Sequence, residues 1–290
     1  MENIHIPVMG EEILEALMVD NRGVYIDATI GLGGHAEMIF SKAGGCTLIG
    51  IDRDSEALEI AGKRLRDRNL HLIREKFSNI KAVAGDLGYG SVDGILIDAG
   101  VSTFQLKSEG RGFSFLRDEP LDMRMDRRQS LTAGDVVNKY PEKKLASLIW
   151  EYGEERFSRK IAREVISARK KKPVANCSEL AGIIERTVGR RGRIHPATRT
   201  FQALRIEVNR ELAELSEAVD QGSEILNKGG RLCVLSYHSL EDRIVKIAFK
   251  RLAAEGIFRI ITRKPLVPSR REMELNPSSR SAKLRVGEKI

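Results

Sequence analysis

A glycine-rich turn between two apolar segments is the part of the sequence best suited to hold a ligand. It spans residues 27–36 (DATIGLGGHA), follows the apolar residues 24–26 and precedes a helical pattern. Glycines at a strand–turn–helix junction let the backbone adopt positive φ and bring a ligand close to bare amides. A second apolar run, residues 47–51, ends in Asp52, an acid placed to bind a ribose hydroxyl. The pattern predicts a cofactor that contains adenosine.

Two cofactors fit this turn. Gly31-x-Gly33-x-x-Ala36 satisfies the dinucleotide fingerprint in its Gly/Ala form, which makes a nicotinamide cofactor one interpretation. S-adenosyl-L-methionine is the other, because it needs no pyrophosphate site but uses the same turn and the same ribose acid. Asp27 lies four residues before the first glycine. Its carboxylate suits the cationic methionine end of the second cofactor and would crowd a pyrophosphate, so the turn favours the methyl donor while leaving the dinucleotide open.

Asp98 is the residue best placed to present a methyl acceptor, since it ends a third apolar run at residues 92–98. An amine conjugated with a pyrimidine ring is a poor nucleophile until an acceptor holds one N–H and the lone pair points at the methyl sulfonium. Transfer then depends mainly on in-line positioning. Asp98 can supply that acceptor or can hold the amine of the cofactor, and the sequence does not separate the two roles.

Tyr237 and His238 follow a further apolar run at residues 232–235, at the expected ligand edge of the sheet. Tyr237 can stack on a base and His238 can hydrogen-bond to it, which makes His238 a candidate catalytic residue. His238 equally suits the first position of a helix.

Methylation at a pyrimidine carbon would require an attacking cysteine. Cys46, Cys177 and Cys233 all fall away from the expected cofactor loops, so attachment to nitrogen or oxygen is favoured.

Composition excludes several classes of protein. The 290 residues are 41% apolar and 31% charged, which argues against disorder and fibrous structure. No apolar run approaches the roughly 18–20 residues that a membrane span needs, and the N-terminal residues lack the features of a signal peptide. Three cysteines without a CxxC pair predict neither disulfides nor structural zinc, and five histidines show no metal spacing. We therefore expect a cytoplasmic protein without a metal site.

The net charge of +8 is unevenly distributed along the chain. Residues 1–106 carry 10 basic and 16 acidic side chains, residues 107–200 carry 22 and 13, and residues 201–290 carry 17 and 12. An acidic first segment followed by a long basic one indicates a polyanionic partner, and nucleic acid is favoured. The run Arg169–Lys172 by itself is better explained as a solvated helix end.

The element pattern predicts an α/β sheet interrupted by a helical domain. Strand and helix patterns alternate over the first hundred residues, which indicates a doubly wound parallel sheet. From residue 107 to 200 the pattern is helical, with no apolar strand. We therefore predict a cofactor domain formed by residues 1–106 and 201–290, with an inserted basic helical domain at residues 107–200 that recognises the substrate.

The final segment predicts how the sheet closes. Apolar positions spaced by three or four residues predict one long helix over residues 198–227, ended by Gly229-Gly230. A fifth strand follows at residues 232–235, and residues 258–262 and 282–286 form a closing pair of strands. An antiparallel pair after a fifth parallel strand is typical of methyltransferase sheets, whereas nicotinamide domains usually end in another parallel crossover.

Several specific motifs lie along essentially the whole chain, in order. They are residues 5–8 (HIPV), the turn ending at His35, residues 93–105 (DGILIDAGVSTFQ), 111–115 (RGFSF), 120–126 (PLDMRMD), 151–156 (EYGEER), 195–202 (HPATRTFQ) and 236–243 (SYHSLEDR), and Asn276-Pro277 with Arg280-Ser281. PLDMRMD and SYHSLEDR are far more specific than a glycine turn. Together these motifs resemble one family, the MraW/RsmH methyltransferases of bacterial small-subunit ribosomal RNA.

The resemblance implies a class I, Rossmann-like methyltransferase sheet with an inserted all-helical domain. It also implies methylation of the 4-amino group of one cytidine in the decoding centre (P-site) of 16S ribosomal RNA. The chain departs from the usual family pattern at a few positions: Ala99 replaces a leucine, Thr103 a serine and Tyr237 a phenylalanine, and residues 287–289 (GEK) replace a usual Ala-Glu-Arg. By motif, the implied cofactor contacts are Gly33, Gly34 and His35 at the turn, Asp52 at the ribose, Phe77 at the adenine, and Asp98 and Gln105 at the methionine and acceptor end.

Other classes of function stay open on the sequence alone. One is an RNA-binding protein whose cofactor pocket no longer catalyses transfer, and another is a nicotinamide oxidoreductase. The sequence also leaves open whether the protein is a monomer or a homodimer, and whether its substrate is free RNA, a precursor particle or the assembled small ribosomal subunit.

Overall fold

The computed structural model describes residues 7–101, 103–189 and 195–290 and divides the chain into two compact units. Unit 1 consists of Met1–Gly100 with Leu212–Ile290, and unit 2 of Val101–Glu211. The sequence placed these boundaries after residues 106 and 200. The helix after residue 197 falls in unit 2 because Phe201, Leu204 and Val208 join that unit's core. Among the motif residues, His5, Ile6 and Ser102 lie outside the described ranges.

Unit 1 is built on a seven-stranded sheet with the order β3-β2-β1-β4-β5-β7-β6. Neighbours among the first five strands run parallel, and the seventh strand runs antiparallel to both the fifth and the sixth. This topology confirms the predicted class I methyltransferase sheet. The strands are β1 Val24–Asp27, β2 Thr47–Asp52, β3 Leu70–Arg74, β4 Val92–Asp98, β5 Leu226–Ser236, β6 Phe258–Ile260 and β7 Lys283–Lys289.

Helices pack against the sheet and form unit 2. The two sheet faces are covered by separate apolar clusters, one around Ile95, Leu232 and Phe249 and one around Ile39, Leu48 and Leu284. The helices are α1 Gly10–Leu17, α2 Gly34–Lys42, α3 Ser55–Arg64, α4 Ile80–Asp86, α5 Thr103–Lys107, α6 Ala133–Lys139, α7 Glu142–Gly153, α8 Ser158–Lys171, α9 Cys177–Val188, α10 Thr198–Asn209, α11 Glu211–Ile225, α12 Ser239–Ala254 and α13 Arg270–Leu275. None of these helices combines the length and the apolar character needed to cross a bilayer.

The prediction of one helix over residues 198–227 is wrong, because the chain breaks between α10 and α11. Arg210 has φ 51° and ends α10 in the left-handed region. The apolar residues whose spacing predicted one helix belong to two different hydrophobic cores. Phe201 and Val208 pack in unit 2, whereas Leu215 packs against the sheet of unit 1. The spacing of apolar residues alone cannot show that the two halves of such a row pack in different cores.

Gly229 and Gly230 do not end a helix, as the sequence suggested, but lie inside β5. The pairing of β5 with β4 is irregular there, since Val92 pairs with Leu226 and Gly94 with Arg231. A Cβ at Gly230 would come within 2.8 Å of the Asn227 carbonyl oxygen. The glycine is therefore needed for close backbone approach at a strand irregularity.

Candidate active site

The candidate site lies at the carboxyl edge of the unit 1 sheet. Strands β1, β2 and β4 end in Asp27, Asp52 and Asp98, and β5 is followed by Tyr237. Asp98 pairs in register with Leu235, so the ends of β4 and β5 lie side by side. Because neighbouring parallel strands end at the same edge, the sheet brings these polar side chains together where α/β proteins bind ligands.

The glycine turn between β1 and α2 requires glycine for two different reasons. Gly31 and Gly33 have φ of 51° and 80°, and Gly33 forms the N-cap of α2. A Cβ on Gly33 would also lie 2.9 Å from the side chain of Leu65. Gly34 is already helical, and there a Cβ would meet Pro7 at 2.9 Å. Glycine is thus required at position 33 by the backbone conformation and at position 34 by packing.

Asp52 fastens this turn to the end of β2. Its Oδ2 accepts a hydrogen bond from the N–H of Gly31 at 3.0 Å, and its Oδ1 accepts one from the N–H of Asp54 at 2.8 Å. Burial raises the pKa of the Asp52 carboxyl to about 6, although the two backbone N–H groups oppose that rise. Each carboxylate oxygen has a second lone pair, so Asp52 retains the capacity to accept from a ribose hydroxyl.

Asp27 is a buried carboxylate with one oxygen unsatisfied in the described structure. Its side chain is 1% exposed, and Oδ1 accepts a hydrogen bond from the N–H of Thr29 at 3.2 Å. Oδ2 is buried and has no hydrogen-bond partner among the described residues. Burial raises the pKa of Asp27 to about 7, the nearby His35 lowers it, and the charges of Asp98 and Asp52 raise it further. A buried polar atom of this kind calls for a ligand or water to pair with it.

His35 ties the first turn of α2 to the preceding chain. Its Nε2 lies 2.9 Å from the carbonyl oxygen of Val8, so Nε2 carries the proton and donates. Its Nδ1 lies 3.9 Å from Oδ2 of Asp98, too far for a direct hydrogen bond. His35 therefore faces the Asp98 carboxylate from the helix side.

Asp98 is oriented from the opposite side by Tyr237. The Tyr237 hydroxyl donates to Oδ1 of Asp98 at 2.7 Å, and the Asp98 N–H donates to Oγ1 of Thr29 at 2.7 Å. Burial and the Asp98 carboxylate raise the pKa of Tyr237 well above 10, so the hydroxyl stays protonated and remains a donor. The Asp98 side chain is 24% exposed. A carboxylate held in one orientation thus remains open to solvent.

His238 forms the N-cap of α12, the second of the two roles that the sequence left open. Its Nδ1 accepts a hydrogen bond from the N–H of Glu241 at 3.4 Å, and Oε2 of Glu241 accepts from the N–H of His238 at 3.2 Å. The other ring nitrogen lies 3.1 Å from Oε1 of Glu241. Nδ1 is thus engaged with the helix terminus, whereas the buried Nε2 has no hydrogen-bond partner among the described residues. A catalytic role for His238 stays a prediction.

Phe77 lies at the same edge beyond β3, and Gln105 belongs to unit 2. Phe77 is half-buried and begins a 3-10 turn, with the Arg53 guanidinium 5.6 Å from its ring centroid. Arg53 forms a buried ion pair with Glu214 of α11. This pair could not be predicted from the sequence, because no spacing pattern links residues so far apart. Gln105 is buried on α5. The structure brings Gly33, Gly34, His35, Asp52, Phe77 and Asp98 to one edge of unit 1.

Phe113 and Phe115 of the RGFSF segment and Asn209 of α10 are packed within unit 2. Phe113 is buried, and Phe115 stacks on His195 with ring centroids 4.5 Å apart. Asn209 accepts from the N–H of Met125 at 2.8 Å and donates to the carbonyl oxygen of Met123 at 2.8 Å. These contacts hold the PLDMRMD segment against α10. Arg169 similarly donates to the carbonyl oxygens of Val137 and Tyr140.

All three cysteines fall within the described ranges and are buried. Burial raises the pKa of each thiol, to about 12 for Cys177 and Cys233. A buried thiol with a raised pKa is a poor nucleophile, because the thiolate is the attacking species. Within the described ranges, no three His, Cys, Asp or Glu side chains group closely enough to hold a metal ion.

The chemistry of this edge fits S-adenosyl-L-methionine better than a dinucleotide. The unsatisfied Oδ2 of Asp27 sits near two further carboxylates, Asp52 and Asp98. Such a cluster favours a cationic ligand with N–H donors and repels a pyrophosphate. The residues that would hold the cofactor are the turn at Gly31–Gly33, Asp52 at the ribose, and Asp27 and Asp98 toward the methionine end.

A parallel sheet closed by an antiparallel pair, with carboxylates rather than phosphate-binding groups around its glycine turn, defines an S-adenosyl-L-methionine-dependent methyltransferase. Comparison with known proteins is more specific. The MraW methylase family matches residues 2–290, and the chain belongs to that family. The predicted family and the predicted cofactor are confirmed.

Curated relatives match over nearly their full length. A protein of Persephonella marina is 48% identical over 292 residues, covering 99% of both chains. One of Carboxydothermus hydrogenoformans is 46% identical over 310 residues, covering 100% of this chain and 99% of the other. One of Clostridium botulinum strain Kyoto is 45% identical over 311 residues, covering 100% of both. All three bear the name ribosomal RNA small subunit methyltransferase H.

Proposed function

We propose that this methyltransferase transfers the methyl group of S-adenosyl-L-methionine to the 4-amino group of a cytidine in the decoding centre of 16S ribosomal RNA. The names of the full-length relatives support small-subunit ribosomal RNA as the substrate. The choice of an amine as acceptor rests on one observation, the oriented Asp98 carboxylate at the ligand edge of the sheet. A ribosomal substrate would also account for the expected cytoplasmic location.

Asp98 is suited to activate an aromatic amine. With Oδ1 held by Tyr237, the carboxylate keeps a fixed orientation in which it accepts a hydrogen bond from one N–H of the acceptor. This contact fixes the rotation of the amine and increases the electron density on nitrogen. When bound, the cofactor supplies an electrophilic methyl group on a cationic sulfur. The amine nitrogen forms a bond to the methyl carbon as the bond from that carbon to the cationic sulfur breaks, so the sulfur would leave as a neutral thioether. The amine loses one proton, which Asp98 accepts and passes to water.

Amine chemistry is also favoured over methylation at a pyrimidine carbon. The carbon route needs a thiolate that attacks the ring. Cys46, Cys177 and Cys233 are buried, with pKa values raised above that of a free thiol. A nucleophile for that route is therefore lacking among the cysteines of the chain, whereas an acceptor for an N–H is present in Asp98.

The substrate is tested by mapping modified nucleosides by mass spectrometry in 16S ribosomal RNA from cells with and without the gene. We expect one cytidine in the decoding centre to lose a methyl group from its 4-amino nitrogen in the deleted strain. Re-expression of the wild-type chain restores it. Loss of a methyl group from a carbon or a ribose instead, or no loss at all, would contradict the proposal.

The role of Asp98 is tested with Asp98→Ala and Asp98→Asn. Both variants should lose methyl transfer while keeping the melting temperature within a few degrees of wild type. Isothermal titration then separates the two roles left open by the sequence. An unchanged affinity for S-adenosyl-L-methionine assigns Asp98 to the acceptor amine, whereas weakened binding assigns it to the cofactor. Full activity in either variant would remove Asp98 from the mechanism, and tight binding of NAD alone would overturn the proposed function.

A further inference from the structure

The connection between β6 and β7 lies at the same edge of the sheet as the candidate site. Strand β7 runs antiparallel to β5, and its first residue, Lys283, pairs with Ser236, the last residue of β5. Strand β6 runs antiparallel to β7 and therefore parallel to β5. Residues 261–282, here named the basic connection, thus leave and re-enter the sheet at its carboxyl edge.

The basic connection is anchored, although its surface is exposed. Leu266 forms a bridge with Leu284 of β7, and the carboxylate of Glu272 accepts the N–H of Met9 at 2.7 Å. The charge of Glu272 also contributes, as a minor cause, to the raised pKa of Tyr237. Helix α13 itself buries no residue. The connection is therefore held in place beside the site while its outer face stays in water.

The exposed face of the basic connection carries cations that the protein does not neutralise. Arg263, Lys264, Arg271 and Arg280 are exposed and form no ion pair within the described residues. Arg280 lies in the 3-10 turn Pro277–Ser281, which is fastened by bonds from the N–H and hydroxyl of Ser279 to the carbonyl oxygen of Asn276. Val267 is 62% exposed on the same connection. The only acids between residues 261 and 282 are Glu272 and Glu274.

We propose that the basic connection binds the phosphate backbone of the substrate RNA strand next to the target nucleotide. This inference rests on the proposed function and names a second RNA-binding element besides the basic helical insertion. The carboxylates of the site repel a polyanion, so a substrate RNA needs positive charge close to it at the same edge. Arginine and lysine side chains on an anchored backbone supply that charge and set the path of the strand without reading its sequence.

A matched pair of quadruple variants tests the inference. The first changes Arg263, Lys264, Arg271 and Arg280 to Gln. The control makes the same change at Arg22, Lys42, Arg66 and Lys228, which are also exposed, form no ion pair among the described residues and lie at the opposite, amino edge of the unit 1 sheet. Both variants lose the same net charge, so a difference between them reports on position and not on total charge.

The affinity of each protein for unmodified 16S ribosomal RNA is measured from 50 to 300 mM KCl. For the first variant we expect a Kd about 10- to 100-fold higher near physiological salt. Its salt slope should be shallower by about 0.7 for each lost contact to a single strand. The control should stay close to wild type. Equal behaviour of the two variants would overturn the inference.

Two further measurements separate this inference from the proposed function. Titration with S-adenosyl-L-methionine should give the same affinity for both variants and wild type, because none of the substituted residues belongs to the cofactor site. Methyl incorporation into small subunits from the deleted strain then tests the function itself. A wild-type protein that binds the RNA but methylates no cytidine would refute the proposed function, while the binding comparison would still decide the role of the basic connection.

Discussion

Asp27→Asn should stabilise the cofactor-free protein at pH 8, although Asp27 lies in the candidate site. The side chain is 1% exposed, and burial raises its pKa from 3.8 to about 7. Between these two values the folded chain binds more protons than the unfolded chain. The free energy of unfolding therefore falls as pH rises from about 4 to about 7 and levels off above that range. Asparagine cannot ionise and avoids this loss.

The size of the effect follows from the two pKa values. Taking 3.8 for the unfolded chain and about 7 for the folded one, ionisation costs the wild type about 2 kcal/mol at pH 5 and about 4 kcal/mol at pH 8. Asparagine keeps the acceptor for the N–H of Thr29, but its amide lacks a partner, at a cost of about 1–3 kcal/mol. That cost is independent of pH and cancels when the two pH values are compared.

Urea unfolding of both proteins at pH 5 and pH 8, followed by far-UV circular dichroism, measures this difference. We expect the stability of Asp27→Asn relative to wild type to increase by about 2–3 kcal/mol between the two pH values. Trp150, the single tryptophan, lies on α7 in unit 2. Its fluorescence shows whether unit 2 unfolds in the same transition, which the free-energy comparison requires. The same stability difference at both pH values would refute a raised pKa for Asp27.

Cofactor binding provides an independent test of the protonation of Asp27. If Asp27 is partly protonated near pH 6.5, binding of a cationic cofactor drives its proton off. The observed enthalpy should then differ between buffers of low and high ionisation enthalpy, and this difference should disappear in Asp27→Asn. The variant should also bind the cofactor about tenfold or more weakly, because a charge-assisted hydrogen bond is lost. Identical buffer dependence in both proteins would mean that the proton does not come from Asp27.

Two further substitutions test single contacts. Tyr237→Phe removes the hydroxyl that orients Asp98, and we expect lower kcat for methyl transfer with little change in cofactor affinity. The matched control is Tyr140→Phe, which removes another tyrosine–carboxylate hydrogen bond and should leave kcat unchanged. Equal kcat in the two variants would argue that Tyr237 does not position Asp98. Asn209→Ala removes the bonds to Met123 and Met125 and should cost about 2–4 kcal/mol in urea unfolding, so a loss under 1 kcal/mol would show that these bonds are dispensable.

The sheet, and the edge at which its three strand-end acids meet, could be predicted from the sequence because the local residue pattern is clear there. Each of β1, β2 and β4 is a short apolar run that ends in an acid, and the parallel arrangement brings Asp27, Asp52 and Asp98 to one edge. The closing antiparallel pair was also visible as two apolar runs late in the chain. In these segments the pattern of apolar residues is compatible with only one way of packing.

What the sequence could not predict depends on contacts between distant segments. The break at Arg210 arises because α10 and α11 pack in different cores, and the apolar spacing is the same on both sides of it. The ion pair of Arg53 with Glu214 and the bond from Tyr237 to Asp98 likewise join residues more than a hundred positions apart. Such partners become visible only when the topology fixes which strand ends are neighbours.

The closing strand pair links the two electrostatic requirements of the proposed reaction. A cationic cofactor favours carboxylates around the glycine turn, whereas an RNA strand needs positive charge within reach of the same edge. In an all-parallel sheet every strand enters at the amino edge and leaves at the carboxyl edge. Because β7 is reversed, the chain re-enters the sheet at the carboxyl edge and carries residues 261–282 there. The antiparallel pair that marks the methyltransferase sheet thus also places a basic segment beside an acidic site.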